Sequence, residues 1–336
     1  WSRARRAARP YEGVRPLNAR AAPGTTIATL TLNPAVDLSA SVDRLEPERK
    51  LRCGDLRWDP GGGGLNVARV IHRLGGKVLA VFAAGGATGA RLQALLAAER
   101  VPGRVIPLDA ETRENFTARD LASGQQYRFV MPGAPLGSAD RRRIMAELTG
   151  LDPSCGILVA SGSLPPGIPA EIYGRLARRA KAVGVKLALD ASGAALKAGL
   201  AVGVWLAKPN LRELEELCDA RLPDEPSRLA ACRSLISSGG AEAVALSLGR
   251  EGALLVMADS AWRAAPLPIA PVSTIGAGDS FLAGLVWALG GGKSHPEALR
   301  WAVATASATL LAPGTSLCRA ADVRSLRGAV RIENAN

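Results

Sequence analysis

From about residue 150 onward, short unbroken apolar runs alternate with longer segments in which apolar residues recur at helical spacing. "CGILVASGS" (155–163), "VKLALDAS" (185–192), "VWLAKPN" (204–210) and "AVALSLG" (243–249) read as strands buried on both faces. Helical spacing fills about 169–183, 211–218 and 226–238, and two further helices are predicted over about 277–289 and 296–311. Upstream, "TIATLTL" (26–32) reads as a strand. "LNVARVIHRLGG" (65–76) and "ATGARLQALLAAER" (87–100) read as helices, the first stopped by glycine. Residues 37–58 and 113–132 differ. They alternate polar and apolar positions, with a turn at Ser123-Gly124, and predict hairpin strands. The expected fold class is α/β: a doubly wound, mostly parallel sheet with helices on both faces, carrying a small β-sheet lid.

Composition supports this and narrows the chemistry. With 336 residues, 48% of them hydrophobic, the chain can bury a large core. Its longest uncharged run, Trp301–Cys318, is broken by Thr, Ser, Gly and Pro and does not read as a membrane span. Five cysteines at 53, 155, 218, 232 and 318 form no CxxC pair, which fits free thiols in a reducing cytoplasm. The two histidines, His72 and His295, both fall in helical segments and leave little material for a Ser-His-Asp triad.

The net charge is +12, and residues 1–24 contribute +5 of it through six arginines against one glutamate. That stretch has no apolar core of a secretory signal and is expected to be a disordered extension, leaving 25–336 as the folded domain. The remaining basic residues are scattered, with few aromatics for base stacking. They suit attraction of phosphorylated metabolites better than nucleic-acid binding.

Two glycine-rich stretches are decoys. "GGGKS" (290–294) ends like a phosphate-binding loop, but Trp287 stands where the first glycine belongs. "AAGGATG" has Ala84 where a dinucleotide fingerprint needs glycine. "PGGGGLNVARV" (60–70) is different. Four glycines before a helix are costly in entropy and let backbone approach a ligand, with Asn66 one turn in, able to hydrogen-bond hydroxyls. In "KPNLRELEEL" (208–217), Lys208 at a strand end suits a phosphate. Asn210 and Glu213 lie one helical turn apart, which serves either a capping box or a hydrated Mg²⁺. In "STIGAGDSFLAGL" (273–285), Gly276, Ala277 and Gly278 are small enough for their amides to converge at a helix start. Asp279 there is either a cap or a base.

These stretches together resemble the ribokinase-like carbohydrate kinases, whose two signatures are similar to "PGGGGLNVARVIHRLGG" and "STIGAGDSFLAGL". "SGQQYRFVMPGA", "SGSLPPG", "KPN", "SLG" and "GTSLC" follow in family order, and the resemblance runs from Thr26 to "RSLRGAV". It implies transfer of the γ-phosphoryl of MgATP to the 1-hydroxyl of fructose 6-phosphate, a glycolytic step. Asp279 is then the base, and Gly276, Ala277 and Gly278 the anion hole. Asp37, Gly62, Gly63, Gly64, Asn66, Arg113 and Ser163 are implied to hold the phosphosugar.

By the same resemblance, Lys208, Asn210, Ser247, Gly249 and Gly252 contact ATP, and Asn210 and Glu213 organise Mg²⁺. Carbonyls of Ser273, Ile275 and Gly314 bind K⁺, although Ala312 and Ser316 replace an Asn and an Arg of that loop, and Ala35 stands for a Ser near the sugar. The lid is implied to pair two subunits, with Lys50 reaching the partner's nucleotide. Relatives acting on fructose 1-phosphate or tagatose 6-phosphate carry Lys where this chain has Gly63, which favours fructose 6-phosphate.

Overall fold

The computed structural model describes residues 26–152 and 154–336, so the expected extension at 1–24 lies outside the described residues. In chain order, the first half contains β1 (Thr26–Thr31), β2 (Ala35–Val42), β3 (Gly54–Gly61), α1 (Gly63–Arg73), β4 (Val78–Ala84), α2 (Gly86–Ala98), β5 (Gly103–Pro107), β6 (Arg113–Asp120), β7 (Gln126–Phe129) and α3 (Ser138–Thr149). The second half contains β8 (Cys155–Ser161), α4 (Ile172–Ala182), β9 (Lys186–Asp190), α5 (Gly193–Leu200), β10 (Val204–Ala207), α6 (Leu211–Cys218) and α7 (Glu225–Ser237). It continues with β11 (Ala241–Ser247), β12 (Ala253–Met257), β13 (Ala261–Ala264), α8 (Ala277–Gly290), α9 (His295–Leu310), α10 (Ala320–Arg327) and β14 (Ile332–Asn334).

The large sheet runs β14-β13-β12-β11-β10-β9-β8-β1-β4-β5. From β11 to β5 every pairing is parallel, and β12, β13 and β14 extend it as an antiparallel edge. Period-two alternation explains why these strands are apolar throughout. Ile27, Phe82, Ile157 and Val159 point into the core beneath α1, α8 and α9, while Ala28, Val81, Leu158 and Ala160 point into the core beneath α3, α4 and α7. α8 and α9 lie close because Gly284 leaves room; a Cβ there would sit 2.6 Å from Thr305 Oγ1.

A separate sheet, β3-β2-β6-β7, forms the lid. β2–β3 and β6–β7 pair antiparallel, as the hairpin pattern predicts, but β2 and β6 join them in parallel. The chain makes β4, α2 and β5 in the large sheet between them and re-enters from the same end, which forces that direction. The register sorts the lid's faces. Trp58, Leu38, Phe116 and Phe129 lie side by side on the outer face, where Trp58 and Phe129 are exposed. Asp59, Asp37 and Asn115 share the inner face, as do Arg57, Ser39, Thr117 and Arg128.

Candidate active site

The carboxyl ends of β1, β8, β9 and β10 and the start of α8 converge beneath the inner lid face, where an open α/β sheet collects ligands. Gly276 immediately precedes α8, and its left-handed φ of 75° turns the chain into the helix. A Cβ there would sit 2.7 Å from Leu317 Cδ2. Asp279 is in the first turn of α8 but does not cap it; no side chain caps this N-terminus. Asp279 Oδ2 instead accepts a hydrogen bond from Asn66 Nδ2 at 2.8 Å, joining residues 213 positions apart. The cap reading of Asp279 is therefore set aside.

Lys208, buried at the end of β10, pairs with Asp190 at 3.0 Å, and Ser161 Oγ donates to the other Asp190 oxygen at 3.1 Å. Its ammonium lies 3.8 Å from where a Gly278 Cβ would stand, so amine and small-residue turn face one another. Burial raises the Asp279 carboxyl to about 6, and Asp190 adds to this. The Asn66 hydrogen bond and the charges of Lys208 and Arg128 pull the other way. Burial works to lower the Lys208 amine, but Asp190, Glu213 and Asp279 outweigh it and hold it above the ordinary lysine value.

The glycine run sits on top of this cluster. A Cβ on Gly63 would lie 2.3 Å from Ser161 Oγ, and one on Gly64 would lie 2.5 Å from Thr31 Oγ1. The run thus brings the N-terminus of α1 against the ends of β1 and β8 at backbone distance, and Gly62 takes a φ of 117° to do so. Asp37 is buried and accepts from Asn115 Nδ2 at 2.7 Å. Arg113 spans the lid root, donating to the carbonyls of Met131 and Asn33 at 2.6 and 2.9 Å and reaching Ser163 Oγ at 3.5 Å. Burial lowers its guanidinium from the usual value.

The profile of the pfkB family carbohydrate kinases matches residues 30–322. The chain belongs to that family. Among curated relatives, an ATP-dependent 6-phosphofructokinase isozyme 2 from Mycobacterium tuberculosis is 46% identical over 297 residues, 88% of this chain and 87% of its own. The fold matches crystal structures of phosphofructokinase-2 from Escherichia coli. The fructose-6-phosphate complex gives a TM-score of 0.85 at 40% identity, covering 91% of this chain and 99% of that one. The potassium complex gives 0.86 at 41%, with the same coverage.

Within this pfkB chain, the structure brings together Asp279, Gly276, Gly278, Asn66 and Lys208, and places Gly63 against Ser161 at the end of β8. Ala277 is the first residue of α8. The cap reading of Asn210 and Glu213 is observed. Asn210 Oδ1 accepts from the Glu213 amide and Glu213 Oε2 accepts from the Asn210 amide, both at 2.9 Å. Burial raises the Glu213 carboxyl.

Asn210 also bridges Ser247 through the backbone, aligning "KPN" with "SLG". Gly249 is exposed in the turn beyond; Gly252 packs under the Ala264 carbonyl, 2.1 Å from its missing Cβ, so its identity has a packing explanation. Ser273 Oγ donates to the Gly314 carbonyl at 2.7 Å and accepts from the Ile275 amide at 3.3 Å, which places those three residues together. Lys50 lies exposed in the β2–β3 connection.

Sequence reasoning missed Asp190, Ser161, Asn33 and Asn115. Asp190 carried a usable signal, a carboxylate closing the apolar run "VKLALD" at a strand's carboxyl end. Asn33 and Asn115 carried none, because only the lid's fold over β1 brings them to Ser163 and Asp37.

Proposed function

We propose that this pfkB kinase is an ATP-dependent 6-phosphofructokinase that converts fructose 6-phosphate to fructose 1,6-bisphosphate. The observation carrying this reading is the Asp279–Asn66 hydrogen bond beside Lys208 and the compact 276–278 turn. It sets a carboxylate, a hydroxyl-binding amide and an anion-binding corner within one site. Asp279 takes the proton of the sugar 1-hydroxyl as that oxygen bonds to the γ-phosphorus. The bond from that phosphorus to the bridging oxygen breaks, and ADP leaves with the electron pair. The amides of Gly276, Ala277 and Gly278, at the positive end of α8, hold the charge that spreads over the migrating group. Lys208 neutralises the nucleotide phosphates, with Ser247, Gly249 and Gly252 forming the nucleotide rim. Asp37, Gly62, Gly63, Gly64, Asn66, Arg113 and Ser163 form the sugar pocket, with the Arg113 fork against its phosphate.

The donor chemistry near Asn210 and Glu213 fits Mg²⁺: these residues would hold it with one carboxylate and the remaining ligands from water and phosphate, and when bound it would supply positive charge to the phosphates. Among the described residues, no cluster of three or more His, Cys, Asp or Glu could hold a metal unaided. Two elements of the K⁺ site, the 273–275 turn and the Gly314 loop, are in contact. That contact and the potassium complex of the Escherichia coli relative support the assignment.

The outer lid row Trp58–Leu38–Phe116–Phe129 supports a homodimer formed lid to lid, with Lys50 serving the partner's nucleotide. No helix among the described residues is long and apolar enough to cross a membrane. All five thiols are free, in keeping with a cytoplasmic enzyme.

A phosphosugar panel tests the reading, measured as ADP release with and without K⁺. Fructose 6-phosphate should exceed fructose 1-phosphate and tagatose 6-phosphate in kcat/KM. A side chain at 63 would run into Ser161, which supports this order. Preference for fructose 1-phosphate would make the chain a 1-phosphofructokinase. No ADP release with any sugar, together with salt-dependent nucleic-acid binding, would overturn the kinase reading.

A further inference from the structure

Arg69 has no exposed surface, lies one turn beyond Asn66 on α1, and plays no part in the site as described so far. Each of its three guanidinium nitrogens is hydrogen-bonded. Nε donates to both Glu99 oxygens at 3.0 and 3.1 Å, and Nη2 donates to Glu99 at 2.5 Å. Nη1 donates to the Pro60 carbonyl at 2.7 Å and to Asn66 Oδ1 at 3.2 Å. The last of these matters for the chemistry. An asparagine amide has an accepting end and a donating end, and either can face a neighbour. Arginine only donates, so a guanidinium held at Oδ1 allows one orientation. That orientation turns Nδ2 toward Asp279. Flipped, the amide would set its oxygen against a carboxylate oxygen and lose both hydrogen bonds.

We propose that Arg69, clamped by Glu99, is a positioning residue for Asp279, acting through the amide of Asn66. The proposal rests on the reading of Asp279 as the base. It also gives the chain Glu99–Arg69–Asn66–Asp279 a direction, from a rigid ion pair at the end of α2 to the carboxylate in the first turn of α8. The same guanidinium lies 3.7 Å from Asp59, which accepts from Arg57 and, at 2.5 Å, from Thr315. The lid strand β3 and the loop after α9 therefore bear on the same hub, and a shift of the lid root reaches Asn66 through it.

The groups facing Asp279 come from every neighbouring element: Asn66 on α1, Asp190 at the end of β9, Lys208 after β10 and Arg128 on β7. α8 itself carries no other charged residue. Of these, Asn66 alone is fixed by Arg69. Loosening Arg69 therefore removes one downward pull on the Asp279 carboxyl and leaves the others in place.

The test uses the full chain and the variants Arg69→Lys, Glu99→Gln and Asp279→Asn. Lysine keeps a charge for Glu99 but lacks the fork that reaches Asn66 as well. Arg69→Lys should lower kcat about tenfold with the KM for ATP unchanged, and move the acid limb of kcat upward by about half to one pH unit. Glu99→Gln should move both in the same direction by less, and it carries the test if Arg69→Lys does not fold. Urea unfolding separates a purely structural role. If both variants lose stability yet keep the wild-type kcat and acid limb, Arg69 only ties α1 to α2 and the positioning role is wrong. If Asp279→Asn stays active, the base assignment itself fails and takes the proposal with it.

Discussion

Replacing Asp279 by asparagine should make the protein more stable and nearly inactive at once. Burial and the nearby Asp190 raise this carboxyl from 3.8 to about 6. A folded-state value above the unfolded one means that the fold binds the proton more tightly. The contribution is therefore fully favourable below 3.8 and is lost as pH rises through about 6. At about 1.4 kcal/mol per pH unit, keeping Asp279 ionised at pH 8 costs the ligand-free fold up to about 3 kcal/mol. Because the residue is only partly shielded from solvent, the measured difference should fall at about 1–3 kcal/mol.

Asparagine carries no charge and still offers an oxygen to Asn66 Nδ2, so it escapes that cost. Urea unfolding of both proteins at pH 4 and pH 8 reads the effect: equal stability at pH 4, and a more stable variant at pH 8. In the coupled ADP assay the variant should lose roughly 10²–10⁴ in kcat, the usual contribution of a general base. Wild-type kcat should fall as pH drops through about 6, where the base takes up its proton. Two results would refute the reasoning: a variant keeping more than a tenth of the activity, or stability curves that run parallel from pH 4 to pH 8.

Gly278→Ala should preserve or slightly raise stability, by up to about 1 kcal/mol, because glycine weakens a helix. It should cost at least about tenfold in kcat, since the new methyl stands in the anion corner facing Lys208; differential scanning calorimetry and the ADP assay together check both halves. Lys208→Met strands the Asp190 charge and should destabilise the fold by about 3–5 kcal/mol with loss of activity. The double variant with Asp190→Asn should recover most of the stability and none of the turnover. Recovery of turnover would show that Lys208 serves only its ion pair.

Legibility followed the range over which each feature is decided. α6, α8 and α9 fall within a residue of their predicted spans because cap, helical period and stop are all local. The antiparallel edge β12–β14 was not foreseen. Its strands are short, but the turn signals were present: Gly249 and Gly252 precede "ALLVM" (253–257) and Asp259-Ser260 follows it. α5 and α3 were missed similarly: α5 is a short "GAALKAGL", and α3 begins in "SADRRR", whose arginine run masks an apolar face of Ile144 and Leu148. In the candidate site, Gly276–Asp279 and the 61–64 run were readable because both press backbone and small residues into contiguous stretches.

Taken alone, the sequence determined where backbone would approach a ligand closely and where a carboxylate would stand beside it, since those properties reside in single short segments. Only the tertiary structure decided what that carboxylate touches. Asn66 and Asp279 are 213 positions apart, and their hydrogen bond forms only once α1 and α8 pack side by side over the sheet. Nothing local marks Arg69 either; it is the fold that buries it against Glu99 and turns its fork onto the asparagine. Local steric demand is written residue by residue; the pairing of charges and amides depends on which helices become neighbours, and that is a property of the whole packed core.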